Sequence, residues 1–207
     1  MEMKVWRLLS KDSAPFLVLL LALSIQDSFF WTLGSLFAVE YSKIGAYSSL
    51  IIPLYMLPGL LTGFIAPRME QNSSKEKLGV ATFAISGLLL AMFFTTDILP
   101  ALLILTFLSS VCSTLSYNFM DSLFSDLVTR LGEDGNYMLG LRGLASDFAY
   151  IVGPILAGIV AEYVGIRESF AFIGVLTGLL AVIILLIHPK KIRLEQQKVN
   201  LIEDGRE

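Results

Sequence analysis

Residues 16–38 read FLVLLLALSIQDSFFWTLGSLFA, and this stretch decides the architecture. A bilayer hydrocarbon core about 30 Å thick takes roughly 20 helical residues to cross. The run is long and apolar enough to do so, yet it carries a carboxylate, Asp27, near its middle. Five further apolar stretches follow, over residues 47–65, 78–94, 98–120, 139–163 and 170–187. Lys4, Arg7 and Lys11 precede the first run as the basic residues of a signal peptide would. The run is longer than a typical signal core, however, and five more spans come after it, so it reads as a retained membrane helix. Pro67 is predicted to close the second helix, Pro100 to open the fourth and Pro189 to stop the sixth.

Composition agrees. Of 207 residues, 55% are hydrophobic and 16% charged, against about 25% charged in a typical soluble domain, and the mean hydropathy is +0.73. The basic residues are scattered over short loops and a tail with no basic face, which argues against nucleic-acid binding. Cys112 stands alone in an apolar run, so it forms no intramolecular disulfide and reads as a small packing residue. His188, also alone, reads as an interfacial residue at a helix end. No metal site and no cofactor is expected, and no Gly-rich phosphate-binding loop ending in Lys-Ser or Lys-Thr is present.

Sorting Lys and Arg by loop places twelve on one side of the membrane and two, Lys43 and Arg167, on the other, with Arg142 inside the fifth run. By the positive-inside rule both termini are expected in the cytoplasm. The chain then divides into a cytoplasmic linker-like segment (1–15), a six-helix transmembrane bundle (16–188) and a cytoplasmic tail (189–207). Tyr41, Tyr47 and Tyr163 fall at the outer interface, where amphipathic rings are favoured.

The spans differ in polarity. The first carries Ser24, Gln26, Asp27, Ser28 and Ser35, and the fourth Ser109, Ser110, Ser113, Thr114, Ser116, Tyr117 and Asn118. The second holds Pro53, Pro58 and Gly59, and the fifth Gly153, Pro154 and Gly158. The third and sixth are nearly featureless, with Thr82, Ser86 and Thr177. Polar, kinked, apolar thus occurs twice. Three spans followed by three similar ones enter from opposite faces, a 3+3 inverted repeat of the kind many secondary transporters use. Spans one and four are expected to line a polar cavity, two and five to flex beside it, and three and six to face lipid. Alternatively, the Ser and Thr residues only cement helix packing.

Asp27 is the sharpest candidate, because an ionised carboxylate at that depth costs at least a few kcal/mol unless water or a partner compensates it. Ser24, Asp27, Ser28, Trp31 and Ser35 recur at helical steps and share a face. A carboxylate beside an indole on a wet stripe can bind a cation, accept a proton or orient a substrate. Asp147 shares a predicted face with Gly143, Tyr150 and Pro154, and either lines the cavity or pairs with Arg142 or another helix. Asp121 and Arg142 fall at the same, cytoplasmic end and are candidates for a closing salt bridge. Asp126 and Arg130 are spaced as an ordinary surface pair. In the fifth span, Gly140, Ala149, Gly153, Pro154, Ala157 and Gly158 make a small-residue pattern that permits close helix approach and a bend, suited to gating.

The run from Asp147 to Gly165, DFAYIVGPILAGIVAEYVG, resembles the eleventh helix of the major facilitator superfamily of transporters, and its spacing is similar to that family's antiporter motif. Gly63-Phe-Ile-Ala-Pro67-Arg68, followed by Lys75 and Lys77, resembles the family's basic cytoplasmic loop motif, with Pro67 where Asp is frequent. The stretch SFFWTLG from Ser28 looks like a seventh helix. The resemblance covers the chain from Trp6 to Lys191 and implies an all-α membrane protein, one six-helix bundle of a twelve-helix fold and specifically its carboxyl-terminal half.

The resemblance implies secondary active transport of a small-molecule solute, with proton coupling as one option, by alternating access at a midplane site in the lipid bilayer. The chain is then an integral multi-pass protein of the cell membrane, not an enzyme. Asp27, Trp31, Tyr117, Asn118, Asp147 and Tyr150 are expected along the substrate or proton pathway. Gly140, Gly153, Pro154 and Gly158 are expected in gating, and Asp121, Arg142 and Arg68 in a cytoplasmic charge lock. A lone bundle exposes polar surface to lipid, so a second six-helix bundle is expected, as a separate chain or a homodimer. The competing readings are a non-transporting membrane partner or regulator, and an inactive transporter fragment.

Overall fold

The computed structural model describes residues 14–43, 45–70, 74–131 and 135–187. The amino-terminal basic segment with Lys4, Arg7 and Lys11, the lone His188, Pro189 and the tail from Lys190 lie outside the described residues, as does the side chain of Arg130. Six long helices account for nearly all the rest: α1 (Ala14–Glu40), α2 (Ile51–Glu70), α3 (Lys75–Ala91), α4 (Leu99–Leu131), α5 (Gly135–Val164) and α6 (Ile166–Ile187). Short 3-10 turns, Tyr41–Lys43, Ala46–Leu50 and Met92–Thr95, occupy the connections at one end. A helix satisfies its own backbone donors and acceptors, which is the requirement hydrocarbon imposes. All six contain a segment long and apolar enough to cross a membrane.

The sequence boundaries hold within a few residues at most ends, and the departures have local causes. α4 continues to Leu131 rather than stopping at residue 120. Its extension keeps an apolar face, with Phe124 and Leu127 buried against Leu17 and Met138. Pro67 does not close α2, which runs through it to Glu70. The missing donor there leaves only the Gly63 carbonyl unserved, and Gly63 is exposed. Pro100 sits in the first turn of α4, where a proline costs no hydrogen bond. α5 and α6 are joined by Gly165 alone, whose N–H donates to the Ala161 carbonyl at 3.0 Å. Its φ of +95° is the left-handed cap that glycine adopts without penalty.

The helices alternate in direction. Gly45, Leu99, Thr96 and Arg167 gather at one end, with Arg167 donating to the Thr96 carbonyl at 3.5 Å. At the other end Lys75 pairs with Asp126 at 2.8 Å. The Arg130 half of the expected Asp126–Arg130 pair lies outside the described residues. The main packed pairs are α1 with α5, α4 with α2, α3 with α6, α1 with α6 and α4 with α3.

Two apolar clusters fill the interior. One, around Phe29, Phe37, Phe93, Leu102 and Phe170, lies toward the Gly165 end. The other, around Leu19, Leu23, Phe83, Phe119 and Ile184, lies toward the opposite end. Between them runs a buried polar layer. Gln26 Nε2 donates to Ser86 Oγ at 2.8 Å, the Ser86 and Ser109 hydroxyls are 3.0 Å apart, and Thr177 Oγ1 donates to Gln26 Oε1 at 3.3 Å. One layer thus ties α1, α3, α4 and α6 at mid-depth.

α3 and α6, expected to face lipid, also pack against each other. In their apolar windows 44% of residues are buried, against 22% for α2 and 17% for α5. The reason is close approach at two glycines. A Cβ on Gly87 would stand 2.8 Å from the Gly174 carbonyl oxygen, and one on Gly174 would stand 2.4 Å from the Ala91 nitrogen. The backbones of α3 and α6 are in contact there, and their outer ridges stay exposed, through Ile85 and Leu88 on α3 and Val175, Leu179, Val182 and Leu186 on α6. Broad exposed apolar faces lie also on α2, through Leu60 and Phe64, and on α5, through Leu144, Ile151 and Ile155.

Candidate functional site

The α1 stripe seen in the sequence divides between two neighbours. Ser24 and Ser28 turn toward α5: the Ser24 hydroxyl lies 3.4 Å from that of Ser146, and Ser28 Oγ donates to the Ala149 carbonyl at 3.2 Å. Asp27 and Trp31 turn into an open groove of about 380 Å³ between α1, α2 and α4. Met56 and Gly59 of α2 and Thr114, Tyr117 and Asp121 of α4 complete much of its wall. Ser35 is exposed and donates to its own helix, at the Thr32 carbonyl.

Asp27 is held from both sides. Tyr55 of α2 donates its hydroxyl to Asp27 Oδ1 at 2.6 Å, and Tyr150 of α5 donates to Oδ2. Both donors are hydroxyls, so they orient the carboxyl group and bring no formal charge to it. Tyr55 is fixed in turn: its ring stacks on Phe30 at 3.6 Å between centroids and 7° between planes, and its carbonyl accepts from Ser110 Oγ. Tyr117 donates to Ser24 Oγ at 3.1 Å, closing a link from α4 to α1.

Tyr55 was missed in the sequence, where it is one aromatic ring in an apolar helix. A signal was present. Tyr55-Met-Leu-Pro58-Gly59 and Tyr150-Ile-Val-Gly153-Pro154 place a tyrosine three residues before a Pro/Gly pair, in the second and fifth spans alike. The two tyrosines meet at the same carboxylate.

The remaining predicted pathway residues are distributed differently. Asn118 does not line the groove; its Nδ2 donates to Thr62 Oγ1 of α2 at 3.1 Å, a bond between helices. Asp147 is exposed on α5, three residues before Tyr150. It does not meet Arg142, which lies 2.5 Å from Asp121 Oδ1 and 5.8 Å from the Phe124 ring centroid. Arg68 is exposed in the last turn of α2 and takes no part in that pair.

The small-residue pattern of α5 also divides. Ala149, Gly153 and Ala157 are buried. A Cβ on Gly153 would fall 1.7 Å from Ser28 Oγ, so α1 occupies the space a side chain would need. Pro154 is only partly buried beside it. Around Gly140, Gly143 and Gly158 there is open space, as there is around Gly59 and Gly63 on α2.

The groove, with a carboxylate at mid-depth, is an opening in the side of six helices long enough to cross a membrane and not part of the packed core. The sequence matches the Major Facilitator Superfamily over residues 6–203. No curated protein matches the chain. With six apolar helices of spanning length and a match over nearly its whole length, the chain is an integral multi-pass membrane protein of the transporter class and belongs to the major facilitator superfamily.

Proposed function

We propose that the chain moves a small solute by alternating access, with the groove at Asp27 as its share of the midplane site and a second six-helix bundle facing it. One observation carries this reading. Asp27, at the depth where a charge is most expensive, is positioned by tyrosines from two other helices and opens onto a groove instead of being sealed in the core. A carboxylate kept only for packing has no need of an open side.

The inverted repeat is part of the proposal and is supported by the contacts. Exchanging the first three helices with the last three turns the α1–α5 pair into α4–α2 and the α1–α6 pair into α4–α3, and leaves α3–α6 unchanged. The polar layer obeys the same exchange, with Gln26 and Ser109 from the first member of each triplet and Ser86 and Thr177 from the third. The second bundle, a separate chain or another copy, would cover α2 and α5. Their exposed apolar ridges are interrupted by glycines with open space beside them, which lets another backbone come close. Asp121 and Arg142 would close the cytoplasmic side, with both termini on that side by the distribution of basic residues.

Two-sided accessibility tests this. With Cys112 replaced by Ser, a single cysteine at Met56, exposed in the groove wall, is treated with an impermeant maleimide in right-side-out and inside-out vesicles. A carrier is labelled from both faces. Labelling from one face only means a scaffold or regulator that does not alternate.

A further inference from the structure

The groove's charge and surface chemistry restrict what it accepts. Of its two carboxylates, Asp121 is already compensated by Arg142 at 2.5 Å. Asp27 is not: its partners are tyrosine hydroxyls, and among the described residues no Lys or Arg lines the groove. Ionised, Asp27 would leave the groove one negative charge to be compensated, at a depth where such a charge is expensive. Capacity for it remains, because an ionised carboxylate offers about four acceptor positions and the two tyrosines occupy two. The rest of the wall is largely aromatic. Trp31, one turn from Asp27, is 42% exposed, and Tyr117 lies across from it. Indole and phenol faces attract a cation.

Polar neutral solutes fit less well. The hydroxyl of Tyr117 is bonded to Ser24, those of Tyr55 and Tyr150 to Asp27, and the nearby Asn118 amide to Thr62. A neutral polar solute is left with the free positions of Asp27, Thr114 and the Trp31 indole N–H, and it would not compensate a charge on Asp27; among the described residues no basic group lines the groove to hold an organic anion.

We propose that the groove takes a lipophilic organic cation, its charged centre against Asp27 and its apolar body against Trp31, Tyr117 and Met56. A space of about 380 Å³ is within the range that holds drug-sized ligands, which begins near 300 Å³. The inference names the solute class of the transport site proposed above and rests on that site being open to ligand.

Tetraphenylphosphonium and tetraphenylborate, alike in size and opposite in charge, make the test. Binding of each radiolabelled ion to the full chain in detergent is measured separately. Saturable binding of the phosphonium, with none of the borate, is expected. Asp27→Asn should weaken it at least tenfold, Asp27→Glu should keep it within a few-fold, and Asp126→Asn, at the far exposed end, should leave it unchanged. Should Asp27→Asn fail to fold, Trp31→Leu, at a half-exposed position, is expected to weaken binding roughly two- to fivefold through the lost ring face. Equal saturable binding of both ions, or equal losses from Asp27→Asn and Asp126→Asn, overturns the proposal. Absent phosphonium binding together with two-sided labelling at position 56 overturns the solute class and leaves the carrier standing. Selective phosphonium binding with one-sided labelling keeps the cation site and removes the carrier.

Discussion

Replacing Gly153 with alanine adds one methyl group, and the structure fixes where it must go. The new Cβ would lie 1.7 Å from Ser28 Oγ and 2.9 Å from Ser28 Cβ. A normal carbon–oxygen contact begins near 3.3 Å, so the hydroxyl has to swing away by about 1.6 Å. Its single proton, shared between the Ile25 carbonyl at 2.9 Å and the Ala149 carbonyl at 3.2 Å, then loses both acceptors. An intramembrane hydrogen bond of this kind averages about 0.6 kcal/mol. The remaining carbon–carbon contact is still short and pushes α1 from α5, at the low end of the 1–3 kcal/mol typical of overpacking. Gly153→Ala is therefore expected to destabilise the bundle by about 1.5 kcal/mol. Ser28→Ala alone loses about 0.6 kcal/mol from the same shared bond, but it removes the atom that blocks the methyl. The double variant should then be about 0.6 kcal/mol more stable than the sum of the singles, a coupling of the size seen for residues in contact. The assay is reversible unfolding in mixed micelles, followed by helical circular dichroism. Gly158→Ala, on the same helix with open space beside it, is the control and should be neutral or slightly stabilising. A neutral Gly153→Ala, or strictly additive single and double variants, would refute the α1–α5 contact described here.

Gly174→Ala should cost more than Gly153→Ala in the same assay, because its Cβ would meet backbone, the Ala91 nitrogen at 2.4 Å, which no rotamer change relieves. Gln26→Leu removes the two bonds from α1 to Ser86 and Thr177 and is expected to lower stability by about 1 kcal/mol, while leaving tetraphenylphosphonium binding intact. Arg142→Gln should change stability by less than about 1 kcal/mol, since the pair with Asp121 is partly exposed. It should nevertheless raise labelling of a cysteine at position 56 from the cytoplasmic side, the effect of a lost closing contact and not of lost fold.

The six spans were legible because the bilayer makes a simple demand, a run of apolar residues of set length, and breakers such as Pro100 sat where that demand ends. Asp27 was legible for the converse reason, since charge is conspicuous where it is expensive. Pairing was not. Periodicity puts Ser24, Asp27, Ser28 and Trp31 on one side of α1 but cannot say that α5 takes the serines while the groove takes Asp27 and Trp31. Gln26 read as one more polar residue, although it bridges two helices at the centre of the bundle. α3 and α6 read as featureless spans, and nothing in their sequence says that their small groups put the two backbones in contact at Gly87 and Gly174. Pro67 misled because breaking a helix interior and tolerating a proline in a helix's exposed last turns look alike in sequence.

Collision accessibility of spin labels tests most directly the claim that the Asp27 side of the bundle is a watered groove. Labels at Met56 in the groove wall and at Leu179 on the outer ridge of α6 are compared in reconstituted bilayers, with a water-soluble nickel chelate and with oxygen as relaxants. At position 56 the chelate should dominate, and at position 179 oxygen should dominate. Oxygen dominating at both would mean that Asp27 opens onto acyl chains, and the transport site described here would not exist.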